Sequence, residues 1–505
     1  MRKLVGSLIA LLLVVLPVRA EQSQDRVVEE SWEIVQLEGA QVGNSHTVVR
    51  EVERDGKKSF ITTAELKLNI KREGKVFPIG MESGSEETAD GKVTRVWMRQ
   101  FQGGHTLLLM QGIVKGDELE LTVKGQSESR RTIPWDDKVI GLYKQEKLFQ
   151  EHKAKPGDKF SFLSFEPTVG GVLTNRVTVK DYEEVRLLKG KKERLLRIEE
   201  IPDKVEGPQG PVQLPGLTAW LDKDLRPVVS SFEMPLLGKM TLYHADKLTA
   251  SGQSGATKDI IVGSLIRLDR TIPRPNQTRS AVYRVTIKGD DDPGTAFAQD
   301  ERQKSSNMHG SSFDLKVKAS HGPRPVENPG QPKPEYLKSC FWIDSDDALV
   351  KRLASAAVGN ETDPWTRAQL VERWVHQNME VSFTRDFCPA GEVARQRSGD
   401  CRQHSMLATA MCRAVGIPSR TAIGLVYAVD RIKGPVMAFH MWTEVWIDGQ
   451  WLSIDATRGE GHVGATHLKV TDSSWFNETS MRPLLPVIRV VGKLSIKVVS
   501  VDQED

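Results

Sequence analysis

The chain has 505 residues, 70 of them basic and 67 acidic, for a net charge of +3. Near-balanced charge with no basic stripe interleaved with aromatics leaves no case for nucleic acid or an anionic surface as partner. The length allows several domains, and four cysteines, Cys340, Cys388, Cys401 and Cys412, are too few for a disulfide scaffold and wrongly spaced for a structural zinc site.

Residues 1–20 read as a secretory signal peptide. Arg2 and Lys3 precede an apolar run from Leu4 to Leu16, and Val18-Arg19-Ala20 resembles a cleavage site. The run is too short to span a bilayer comfortably, so the expectation is an exported protein, periplasmic or extracellular, with no stable membrane span after cleavage.

From 21 to 255 the pattern is largely of period two. Leu66, Leu68 and Ile70 alternate with polar neighbours, as do Leu119, Leu121 and Val123. This predicts half-buried antiparallel strands. Asp55-Gly56, Asp90-Gly91 and Pro156-Gly157 mark turns, and the Gly/Pro cluster from Gly207 to Gly216 reads as a loop. No long helical pattern appears here, nor any catalytic constellation, so a binding or scaffold role is expected. After a joint around 251–257, a shorter β segment follows at 256–320, carrying Tyr283, Val285 and Ile287, then Phe313, Leu315 and Val317. Residues 321–339 are rich in proline and read as an extended spacer.

Residues 340–475 change to helices and then strands. Ser345 is expected to cap one helix and Gly359 to end it, while Asp363-Pro364 starts another. Ser398-Gly399-Asp400-Cys401 opens a third, which Gly416 stops. Three strands are predicted at about 420–429, 439–447 and 450–456, with 476–505 left as a C-terminal extension. The fold class is therefore α+β behind a large antiparallel all-β region.

Chemistry concentrates in this last third. A cysteine at a helix N-terminus meets unpaired amides and the positive end of the dipole, which favour a thiolate and can receive negative charge from a substrate carbonyl. Such a nucleophile needs a base, and the base an orienter. Asp448-Gly449 is a hairpin turn. If Ile447 pairs with Gln450, Asp455 falls opposite Trp442, on the face that also carries His440. The sequence thus predicts Cys401, His440 and Asp455 as nucleophile, base and orienter, with Trp442 the one tryptophan of the region expected beside them. His404, three residues after Cys401, competes as a base but has no evident acidic orienter. A zinc site from Cys401, His404 and His440 lacks a fourth position, so no metal is expected. If Cys401 must stay free, Cys340–Cys388 is the expected disulfide.

Ser398-Gly399-Asp400-Cys401-Arg402-Gln403-His404, Arg413-Ala414-Val415-Gly416-Ile417-Pro418-Ser419-Arg420, His440-Met441-Trp442-Thr443-Glu444-Val445-Trp446 and Trp451-Leu452-Ser453-Ile454-Asp455-Ala456-Thr457 together resemble the transglutaminase-like superfamily. The resemblance covers about 340–475. It implies a papain-like α+β fold and acyl transfer from an amide in a peptide or protein, through a thioester on Cys401. Papain-like enzymes place a polar side chain just before the cysteine in the oxyanion site, and Gln396 is the nearest amide. Animal members use calcium, but no EF-hand-like loop is present and Asp290-Asp291-Asp292 reads as a solvated turn, so no cofactor is expected. Hydrolysis is the favoured outcome. Protein-glutamine transglutamination and a non-catalytic exported scaffold are the alternatives.

Overall fold

The computed structural model describes residues 25–503, apart from 55, 73–74, 103–104, 126–127, 235–237, 253–264 and 384–386. The signal segment expected at 1–20, Asp55 of one expected turn and most of the joint at 251–257 lie outside the described residues.

The alternation before residue 255 folds into one 14-stranded antiparallel sheet. In its strand Glu118–Lys124, Leu119, Leu121 and Val123 are buried while Glu118 and Glu120 face solvent, as period two requires. The end strands are Glu128–Pro134 and Lys159–Glu166. The chain between them folds back so that the Ile140 amide donates to the Leu163 carbonyl at 2.9 Å, and Arg131 donates to the Gly170 carbonyl at 3.2 Å. The sheet therefore curls until its two ends come together, linked by these bonds.

A helix that the sequence does not predict, Leu142–Glu151, bridges the curled sheet. Its apolar signal is weak, with only Leu148 and Phe149 buried. Its first turn is held instead by a remote carboxylate: the amides of Tyr143 and Lys144 donate to Glu87 at 2.9 and 3.2 Å. The region expected as a loop at 207–216 contains a small hairpin, Val205–Gly207 with Gly210–Val212.

The segment expected at 256–320 and the extension expected at 476–505 form one unit. The strand Thr278–Ile287 pairs with Ser312–Lys318 on one side and with Leu494–Gln503 on the other, and Gln303–His309 completes four strands.

In the last third the helix Ala348–Val358 is capped by Asp347, not Ser345, because the Asp347 carboxylate accepts from the amides of Leu349 and Val350. Gly359 ends it at φ +54°. Pro364–Asn378 starts at Asp363 as expected, and Cys401–Ala414 follows. These helices pack on a sheet containing Ser419–Asp430, Gly434–Ile447, Gln450–Ile454 and His467–Ser473, with Ile266–Arg267 added along one edge. The 321–339 segment is docked and does not act as a free spacer: Gln450 donates to the Arg324 carbonyl at 2.7 Å, and a Cβ on Gly449 would come within 2.5 Å of Pro329. The expected Cys340–Cys388 bridge is not made, and both remain thiols; Cys340 Sγ instead lies 3.8 Å from Arg413.

One buried core runs through all three parts. It includes Met110 and Leu121 of the large sheet, Tyr283 and Phe313 of the small one, and Trp342, Leu407, Leu425 and Trp475 of the last.

Candidate active site

The helix Cys401–Ala414 begins with a full capping box. Asp400 accepts from the Arg402 amide at 2.9 Å, and Gln403 Oε1 reaches back to the Asp400 amide at 3.0 Å. Gly399 is required by this closeness, since a Cβ there would sit 2.4 Å from that of Gln403. The helix start is thereby fixed, and with it Cys401, which is half-buried.

Side-chain hydrogen bonds stitch this helix to the strand Gly434–Ile447. Ser405 Oγ donates to the Trp442 carbonyl at 2.8 Å, and the hydroxyls of Thr409 and Thr443 meet at 3.1 Å. That strand carries His440. The Asp448-Gly449 turn has both residues at positive φ, +47° and +84°, and Ile447 pairs with Gln450 in the register expected from sequence. Asp455 follows directly on the second strand, and its Oδ2 lies 2.8 Å from His440 Nε2. With Nε2 engaged, Nδ1 is the ring nitrogen left for the thiol.

The electrostatics agree with this geometry. Burial opposes a charge on His440, but the Asp455 carboxylate and then Cys401 outweigh it and raise its pKa to about 10. Asp455 is buried too, which alone would raise it; the His440 charge and the hydrogen bonds from His440 and His467 hold it well below the usual carboxylate range.

Two contributors have no counterpart in the sequence reading. His467 Nε2 lies 3.1 Å from the same Asp455 oxygen, and burial lowers its pKa to about 4, so it is a neutral donor. Its other nitrogen is buried without a partner. His467 opens the strand His467–Ser473; the signal available was the alternation of Leu468 and Val470 after Gly464. Glu372, on the helix Pro364–Asn378, accepts from the amides of Asp455 at 3.2 Å and Gly461 at 3.1 Å, and burial raises its pKa to about 8. It props the segment that presents Asp455.

The remaining sequence candidates fall elsewhere. Gln396 donates to Glu392 at 2.6 Å and does not line the cavity above Cys401. Trp442 is wholly buried and lies outside the cavity wall, stacked behind His440 at 6.4 Å and edge-on to His467 at 5.4 Å. His404 turns back on its own helix, with Nδ1 2.8 Å from the Asp400 carbonyl, and burial lowers its pKa. His440, Asp455 and His467 bring donor atoms within 4.8 Å of one another, close enough for a metal ion, yet both nitrogens are aimed at one carboxylate oxygen. Asp455 Oδ2 is thus the common hydrogen-bond acceptor of the two imidazoles.

Cys401 and His440 open onto a cavity of about 640 Å³ whose opposite wall belongs to the large curled sheet. A buried charge cluster lies behind the site. Lys469, 1% exposed, meets both oxygens of Glu444 at 2.9 and 3.0 Å, and Arg420 joins Glu444 and Asp472 at 2.8 Å each.

An uncharacterized protein of Haemophilus influenzae is 32% identical over 96 residues, 18% of this chain and only 26% of that protein's length. A proposed cysteine protease from Cytophaga hutchinsonii matches in structure with a TM-score of 0.29 at 16% identity, over 45% of this chain and 86% of that one. A β-barrel-like protein from Brucella abortus, a domain of unknown function, matches with 0.31 at 10% identity, over 43% and 95%. The family model of the transglutaminase-like superfamily matches residues 351–456, the stretch that holds Cys401, His440 and Asp455. The chain therefore carries a transglutaminase-like domain at residues 351–456.

Proposed function

We propose that this domain is an exported cysteine enzyme that opens amide bonds of peptides or proteins by acyl transfer. The observation that carries the reading is the His440–Asp455 contact at 2.8 Å, with Cys401 as the other group acting on the same ring. Export is inferred from the basic start, short apolar run and cleavage pattern of residues 1–20.

The chemistry follows from the residues. Cys401 gives its proton to His440, and the thiolate attacks the amide carbonyl carbon. The carbonyl oxygen takes the negative charge and is received by amides at the start of the nucleophile helix. The tetrahedral adduct collapses as His440 passes its proton to the departing amine, leaving a thioester on Cys401. A water molecule, deprotonated by His440, then releases the acid and restores the thiol. Asp455 keeps the imidazole oriented and stabilises its charged form. Hydrolysis is preferred to transfer onto a second amine.

Iodoacetamide labelling tests the first half of this cycle. Cys401 should react in mildly acidic solution, where ordinary thiols are slow, and His440→Ala should slow it at least about tenfold. Equal, slow labelling in both proteins would leave a scaffold as the better reading. A glutamine peptide offered with and without an alkylamine separates the outcomes: release of ammonia without the amine supports hydrolysis, and product that requires the amine supports a transferase.

A further inference from the structure

The cavity above Cys401 is built from two halves of the chain. Cys401, Phe439 and His440 form one wall; Asn175, Leu217, Phe232 and Met234 of the curled sheet belong to the other. A second cavity of about 1000 Å³ shares Leu214, Pro215, Glu233, Met234, Phe439 and Ile488 with it and is also lined by Lys493. The two adjoin along those shared residues. The first, at about 640 Å³, lies within the ~300–1,000 Å³ range of small-ligand sites, so it takes a short segment of chain and not a folded surface.

Glu200 stands in the mostly apolar wall of the first cavity. It lies in the strand Lys192–Pro202, with Val177 and Leu217 as its cross-strand neighbours. Among the described residues its carboxyl has no hydrogen-bond or ion-pair partner, and burial is the sole influence on its titration. The cations lining the same cavity are already held, Arg402 by Asp400 at 2.9 Å and His440 by Asp455 at 2.8 Å. A carboxylate facing apolar walls without a cation is costly, and a ligand that brings one relieves that cost.

We propose that the curled sheet is the specificity wall of the enzyme, with Glu200 receiving the protonated basic side chain of an otherwise apolar peptide segment whose amide lies at Cys401. This assignment rests on the acyl-transfer reading above. It gives the β region a part in substrate selection, which the transglutaminase-like domain alone does not supply.

Two chloromethyl ketone probes of equal length test it, one carrying a lysyl and the other a norleucyl side chain. Each alkylates a thiolate, forming a sulfur–carbon bond as chloride leaves. Their rates on the full chain are taken as a ratio, which cancels changes in the thiol itself, and iodoacetamide is run in parallel. The lysyl probe should react about tenfold faster in the wild type, a preference worth about 1.4 kcal/mol. In Glu200→Gln the ratio should fall to about one. A ratio near one in the wild type, with iodoacetamide labelling still dependent on His440, overturns the assignment and leaves the enzyme reading intact. Iodoacetamide labelling that ignores His440 removes both.

Should Glu200→Gln fail to fold, the wild type alone decides. Burial raises the Glu200 pKa to about 7, while Glu166, Glu233, Asp400, Arg402 and His440 line the same cavity. The lysyl ammonium stays charged throughout, so the ratio should decline as pH falls through about 7 and Glu200 takes up a proton. A ratio that is flat from about pH 5.5 to 8.5 overturns the assignment.

Discussion

Asp455 receives two imidazoles on one oxygen, His440 and His467, while its other oxygen accepts from the Thr457 amide at 3.0 Å. A buried carboxylate so committed has one orientation, and the ring of His440 inherits it. Glu372 behind it titrates in the opposite sense. Folded, it holds its proton to about pH 8; unfolded, it releases it near the ordinary 4.5. In that window the unfolded chain binds fewer protons, so stability falls as pH rises from 4.5 through 8. Glu372→Gln keeps a carbonyl for the two amides and should flatten that slope, raising urea resistance at pH 8 relative to the wild type. Lys469→Ala removes the ammonium from a buried cluster and leaves Glu444 to Arg420 alone, which should cost about 3–5 kcal/mol in urea unfolding. Cys401, His440 and Asp455 were legible because local signals flank each of them: a helix cap, an alternating strand and a two-residue turn. His467 and Glu372 were not. Their importance comes from reaching Asp455 across 12 and 83 positions of chain, and nothing nearby in the sequence marks those distances.

At the level of elements, the strands of the large sheet were readable because one face is buried, and the Asp448-Gly449 hairpin because both its residues suit positive φ. The helix Leu142–Glu151 was not, since the group that holds its first turn, Glu87, lies more than fifty residues away. The helix Cys401–Ala414 is the opposite case, with its cap written next to it. Asp400→Ala deletes an acceptor for the Arg402 amide and half of the capping box, and should cost about 1 kcal/mol in urea unfolding. It also removes the carboxylate that Arg402 meets at 2.9 Å, so its effect on the lysyl probe should be adverse even where folding is retained.

At the scale of the whole molecule, the largest core among the described residues is shared by three stretches of sequence, which alternation alone does not reveal. Period two tells which face of a strand is buried but is silent on which distant partner covers it. A fragment comprising residues 340–475 lacks both the edge strand Ile266–Arg267 and the strands outside it that share a core with Trp342 and Trp475. It should remain expanded, with weak near-ultraviolet circular dichroism, whereas residues 25–503 should give a fixed aromatic signal. The pairing of Leu494–Gln503 with Thr278–Ile287 also imposes an order in time. A ribosome delivers the two partners more than two hundred positions apart, so the small sheet waits, one flank bare, until position 503 has emerged. During that interval the core that the small sheet shares with Leu407 of the helix Cys401–Ala414 is incomplete, so the cysteine chemistry proposed above is expected to begin only once synthesis has passed that strand.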